Sequence, residues 1–118
     1  MNRLDDLKVY QLSMELSDRV WKLVSGWPPF QKKTIGIQLA RATDSVSANI
    51  AEGHGRYHYG ERRQFSYYAR GSLSEVECWM AKCGSRRLIA LDELKELQAL
   101  ASELGKMLNG YIRSIGRS

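Results

Sequence analysis

Cysteine, proline and histidine are scarce in this 118-residue chain, with two of each, and the two prolines stand side by side. Cys78 and Cys83 lie five positions apart, which on a helix turns them about 140° from one another. They cannot pair within that helix, so a reducing compartment is the simpler expectation. The chain lacks any long uninterrupted apolar run, and its first residues carry Arg3, Asp5 and Asp6. A membrane span and a signal peptide are therefore not expected, and the expected location is the cytoplasm. No stretch alternates apolar and polar residues with a period of two, which argues against strands.

Catalytic chemistry also finds little to stand on. Ser72 and Ser74 have no histidine partner in sequence context, and no Gly-rich phosphate loop follows a strand. His54 and His58 could share a metal only if their segment were helical, and Gly53, Gly55 and Gly60 argue that it is not. No Glu-x-x-His pair of the di-iron kind occurs. The expectation is a non-enzymatic protein without metal or cofactor.

What the chain does contain is helical periodicity. Its length suits one domain, 1–118, large enough to bury about two thirds of its unfolded surface. A first helix is expected over 6–25, with Val9, Leu12, Leu16, Val20 and Leu23 on one stripe and Leu7, Tyr10, Met14, Trp21 and Val24 on a second. Gly26, Pro28 and Pro29 stop it. A second helix over 30–52 carries Ile35, Leu39, Ala42, Val46 and Ile50, with Gly53 expected as its left-handed closing residue. A third over 61–88 turns Phe65, Ala69, Ser72, Val76, Trp79 or Met80, and Cys83 inward. Gly71 inside it costs about 1 kcal/mol relative to alanine, and close approach of another backbone is the expected compensation. A fourth over 92–115, capped by Asp92, shows a seam of Leu94, Leu97, Ala101, Leu104, Leu108, Tyr111 and Ile115. The expected fold is all-α, an antiparallel up-down-up-down four-helix bundle. The second stripe of the first helix, with Leu100 and Met107, leaves apolar surface for self-association.

Charge gathers in the middle of the chain. The net charge is +5, and between Lys32 and Arg70 seven bases face three acids. Within that region Ser45, Asn49, Glu52 and Arg56 form a polar stripe at spacings of four, three and four. It reads either as a ligand-binding line or, preferably, as an assembly network in which Asn49 and Glu52 meet Arg70 or Ser72. Gly53, Arg70, Gly71, Ser72 and Glu75 are grouped with it as structural or assembly residues. The loop from His54 to Arg63 joins tyrosines to cations, a pairing that lets a protein stack on exposed bases while neutralising phosphates. Lys32, Lys33, Arg56, Tyr57, Tyr59, Arg62 and Arg63 are accordingly the candidate nucleic-acid contacts, with an inter-subunit contact as the competing reading. A helix-turn-helix reading of LARATDSVSANIAEG needs a turn at Asp44, where an unbroken apolar period instead favours continuous helix.

The segment QLARATDSVSANIAEGHGR followed by ERRQFSYYARGSLSEVE resembles the four-helix-bundle proteins encoded within intervening sequences of bacterial 23S ribosomal RNA genes. The likeness extends from DLKVYQLSMEL in the first helix to GKMLNGYIRSI in the last. Thr43 and Asp44 depart from it where smaller or apolar residues are usual, as do Lys32 and Lys33 where acids are common. The resemblance implies a left-handed bundle that assembles into a homopentameric ring in the cytosol, with no catalytic activity. A more distant relative of that architecture, the accessory protein of diversity-generating retroelements, is a basic pentamer that engages a reverse transcriptase and nucleic acid. By that analogy the expected partners are further copies of the chain and RNA, DNA or a nucleic-acid enzyme. The competing expectation is a structural or protein-adaptor ring without nucleic-acid affinity.

Overall fold

Helix α1 (Lys8–Ser25) follows a single 3₁₀ turn at Leu4–Asp6 in this computed structural model, which describes residues 3–117. Of the expected domain 1–118, Met1, Asn2 and Ser118 lie outside the described residues. Helix α1 buries Val9, Leu16, Val20 and Val24, leaves Leu12 and Leu23 half-buried, and exposes Met14 and Trp21. The first stripe thus faces the core, and the second fades outward toward Trp21. Gly26 closes the helix and Pro29 opens the next turn, where a missing amide costs nothing.

The second helix is not uniform. A single α-turn at Pro29–Gln31 widens into a π-turn at Lys32–Gly36 before helix α2 (Ile37–His54) begins. Asp44 is an exposed residue in the middle of α2, so the segment holds no helix-turn-helix break. Helix α3 (Tyr59–Ser85) starts two residues earlier than expected and stops three earlier. Arg87, at φ 57°, takes the left-handed position, with its amide donating to Gly84 O and that of Leu88 to Cys83 O. This closing motif normally announces itself with glycine, so its stop was invisible in the sequence. Helix α4 (Leu91–Ser114) is preceded by Ala90 in the cap position, without a side-chain cap bond. Asp92 is therefore not the cap; together with Glu93 it sits in the first turn and acts on the helix dipole.

Four helices, with no strand among the described residues, enclose one core in a body of 47 × 23 × 20 Å. Leu16, Leu39, Ile50, Met80, Leu97, Leu104 and Leu108 are among its fully buried side chains. The inner face of α3 is Ser66, Ala69, Leu73, Val76, Met80 and Cys83; the expected Phe65, Ser72 and Trp79 are half-buried on its edge. On α4, Leu97, Ala101, Leu104 and Leu108 are buried as the seam requires, while Leu94 and Tyr111 are half-buried and Ile112 takes a core position. Between α1 and α2 the contact is lined by small polar residues: Ser17 donates to Thr43 O at 3.1 Å, and Thr43 to Ala40 O at 2.9 Å. Among the described residues no buried side-chain polar atom lacks a partner.

Contacts along α3 and α4 fix their relative direction. Arg63 reaches Ile115 O, Arg70 reaches Asn109 Oδ1, and Gly84 faces Leu94, so α4 positions fall as α3 positions rise. Between α2 and α3 the decisive contact is at Gly53, where an added Cβ would stand 2.9 Å from Phe65 Cβ and 3.1 Å from Arg62 O. Gly53 is thus an ordinary helical residue placed where a backbone must pass, not a left-handed terminator. Gly71, by contrast, has nothing within 4 Å of such a Cβ, so the close approach expected there is absent within the chain.

These two glycines respond oppositely to alanine. Gly53→Ala gains about 1 kcal/mol of helix propensity but overpacks at a cost of about 1–3 kcal/mol, for a net loss near 1 kcal/mol. Gly71→Ala gains about 0.5–1 kcal/mol, and urea unfolding of both variants checks the pair. The cysteines separate as well, since Cys78 is exposed while burial pushes the Cys83 thiol up to about 11 against the opposing pull of Arg86. A thiol-reactive dye at neutral pH should label Cys78 at once and Cys83 only on unfolding.

Candidate nucleic-acid interface

The break between α2 and α3 is only Gly55–His58, so Tyr59, Arg62 and Arg63 belong to the opening turns of α3 rather than to a loop. Tyr57 is 89% exposed and Tyr59 54% exposed, with the Tyr57 and His58 rings meeting edge-to-face at 5.1 Å. The guanidinium of Arg62 lies 5.8 Å from the centre of the Tyr59 ring. Aromatic surface and positive charge are therefore held together at this end.

Its arginines already have duties. Arg56 pairs with Glu52 at 2.6 Å and Glu61 at 3.5 Å, and its guanidinium lies 4.8 Å from the centre of the Phe65 ring. Arg62 Nε donates to Arg56 O at 2.7 Å, locking the turn onto α3. Arg63 Nη1 donates to Ile115 O at 3.3 Å, tying the end of α4 to the same corner. Beneath them burial pushes the Tyr111 hydroxyl up, while the nearby Arg62 charge pulls it down. These groups hold the corner together and keep remaining donors for a ligand, because a guanidinium carries five N–H bonds.

Lys32 and Lys33 do not join them. They lie on the π-turn before α2, and the 1.5 Å rise per residue puts the length of that helix, roughly 30 Å, between them and Arg56. The expected single basic rim is split between the two ends of the molecule. The sequence held the signal for this, since a continuous helix from Phe30 to Gly53 cannot bring its ends together.

The polar stripe is also local. Ser45 donates to Arg41 O at 2.8 Å, Asn49 to Ser45 O at 2.8 Å, and Glu52 pairs with Arg56. Asn49 and Glu52 do not meet Arg70 or Ser72 within the chain. Arg70 instead bonds Asn109 at 3.2 Å and lies 4.9 Å from the centre of the Tyr67 ring; Ser72 is half-buried; Glu75 accepts from Trp79 Nε1 at 3.3 Å. Among the described residues no three His, Cys, Asp or Glu side chains gather as a metal site. No described helix is long and apolar enough to cross a membrane.

One cluster escaped sequence reasoning altogether. Phe30, Lys33, Gln38, Trp79 and Arg86 line one cleft at the far end, although α2 and α3 contribute to it from positions more than forty residues apart. Lys82, Arg86 and Arg87 lie in sequence beyond the base-rich segment from Lys32 to Arg70.

A crystal structure of a protein with unknown function from the S23 ribosomal protein family of Bacteroides thetaiotaomicron superposes on this fold with a TM-score of 0.83. The two share 22% identity over 89% of this chain and 95% of that one, a likeness of fold alone. No curated protein matches the chain. The model of the family described as 23S rRNA-intervening sequence protein matches residues 5–110, and the chain belongs to that family.

Proposed function

We propose that the protein is a non-enzymatic cytoplasmic scaffold: a left-handed, up-down-up-down bundle that assembles into a homopentameric ring and binds RNA or DNA through the Gly55–His58 end. The observation that carries binding is the outward display of Tyr57 and Tyr59 beside the guanidinium groups of Arg56, Arg62 and Arg63. Base faces stack on such rings without regard to sequence, and the cations neutralise phosphates. Assembly is supported by apolar surface that the single chain leaves open, with Trp21 65% exposed and Met14 and Ile37 each 37% exposed. A second reading, an adaptor ring without nucleic-acid affinity, draws on the internal engagement of Arg56, Arg62 and Arg63.

Light scattering at micromolar concentration should return five times the 13.5 kDa chain mass, and a monomer would sink the ring. Labelled single-stranded and duplex RNA titrated at two salt concentrations tests the interface. Arg62→Ala with Arg63→Ala should reduce the salt slope by about one per lost phosphate contact. Because those arginines also brace the corner, Tyr57→Ala provides a variant without a structural role and should weaken single-strand binding by about 1–3 kcal/mol. Binding indifferent to both sets of changes, with folding intact, would favour the adaptor reading.

A further inference from the structure

We propose that the end of the molecule opposite Gly55–His58 carries a separate site for one nucleotide unit, an unpaired base together with its phosphate. The cleft there has a volume of about 540 Å³, within the range of small-molecule sites. Two rings line it, Phe30 and Trp79, and Phe30 is 74% exposed with its face available for stacking. Trp79 is oriented by its Nε1 bond to Glu75 at 3.3 Å, and Lys82 Nζ lies 5.5 Å from the centre of its ring. Gln38 adds an amide that can both donate to and accept from a base edge.

The charges on this cleft are available. Lys33 and Arg86 line it, and neither they nor Lys32, Lys82 or Arg87 belong to an ion pair among the described residues. Glu75 is already engaged with Trp79, and Asp92 and Glu93 lie in the first turn of α4. The π-turn at Lys32–Gly36 presents Lys33 and Thr34 to the cleft, and Thr34 is anchored by its bond to Phe30 O at 2.7 Å. Such wide turns recur at functional sites. Two free cations beside two rings match a phosphate joined to a base, and neither half alone uses the whole cleft.

Calorimetric titration at low salt with 5′-AMP, adenosine, inorganic phosphate and a decaadenylate tests the site. 5′-AMP should bind, with adenosine and phosphate each at least about tenfold weaker. Lys33→Ala with Arg86→Ala should weaken 5′-AMP about tenfold or more, and Phe30→Ala should weaken 5′-AMP and adenosine alike. These side chains lie on the surface, and an unchanged melting temperature confirms that folding is intact. Arg62→Ala with Arg63→Ala should leave 5′-AMP affinity unchanged, which separates this site from the Gly55–His58 interface. Equal affinity for 5′-AMP and the decaadenylate assigns a free nucleotide; tighter decaadenylate binding with the same sensitivity to Lys33 and Arg86 assigns a strand. If neither ligand binds, or binding ignores the Lys33 and Arg86 changes, the site does not exist.

Discussion

The passage of α3 across Gly53 is the constraint on which the rest of the structure turns. A four-residue break can return the chain against itself only if the two helices approach closely at once, and here Phe65 Cβ and Arg62 O occupy the space of a side chain. Glycine is unfavourable in a helix interior by about 1 kcal/mol, and burial of the crossing offsets that cost. Once the approach is made, Arg62 Nε reaches Arg56 O and the turn is closed by a hydrogen bond from the helix it introduces. Register then propagates: Ala69, Leu73, Val76, Met80 and Cys83 fall inward at helical spacing, and Arg63 and Arg70 meet α4 in order.

That constraint also shapes the electrostatics of the corner. Because the turn is tight, Glu61 is brought within salt-bridge distance of Arg56, which already pairs with Glu52 one helical turn before it. Such exposed pairs contribute little to stability, about 0–1 kcal/mol, but they fix where a guanidinium points. The corner is thus pre-positioned at the expense of free charge. The opposite end has the reverse character, with Lys33 and Arg86 in no ion pair among the described residues.

Much of the fold was legible in the sequence, because apolar periodicity reports burial directly. The seam Leu97, Ala101, Leu104 and Leu108 and the stripe Ile35, Leu39, Ala42, Val46 and Ile50 are core exactly because each lies on one helical face. What periodicity does not report is which small residue meets a neighbour. Gly53 and Gly71 look alike in sequence, yet one lies under Phe65 and the other faces open space. Helix ends set by unusual residues were equally hidden, since Arg87 in a left-handed conformation carries no glycine signal and Ala90 precedes α4 without a capping side chain. The candidate site was half legible: Tyr57, Tyr59, Arg62 and Arg63 do share one corner, but Lys32 and Lys33 do not, and the cleft that Lys33 borders needs a partner helix that no local pattern names.

The division of charge between the ends bears on how a polyanion would be held. A guanidinium already bonded to a carbonyl or carboxylate offers a phosphate only its remaining donors, but it arrives oriented, so little freedom is lost on binding. A free lysine such as Lys33 gives its whole charge and loses side-chain entropy when it is held. Both ends should release counterions, but the Arg56, Arg62 and Arg63 corner does so with donors already oriented, whereas Lys33 and Arg86 have to be ordered on binding. With roughly 30 Å of helix between them, several Debye lengths at physiological salt, neither end alters the other's affinity through bare charge. A strand long enough to touch both would couple them directly.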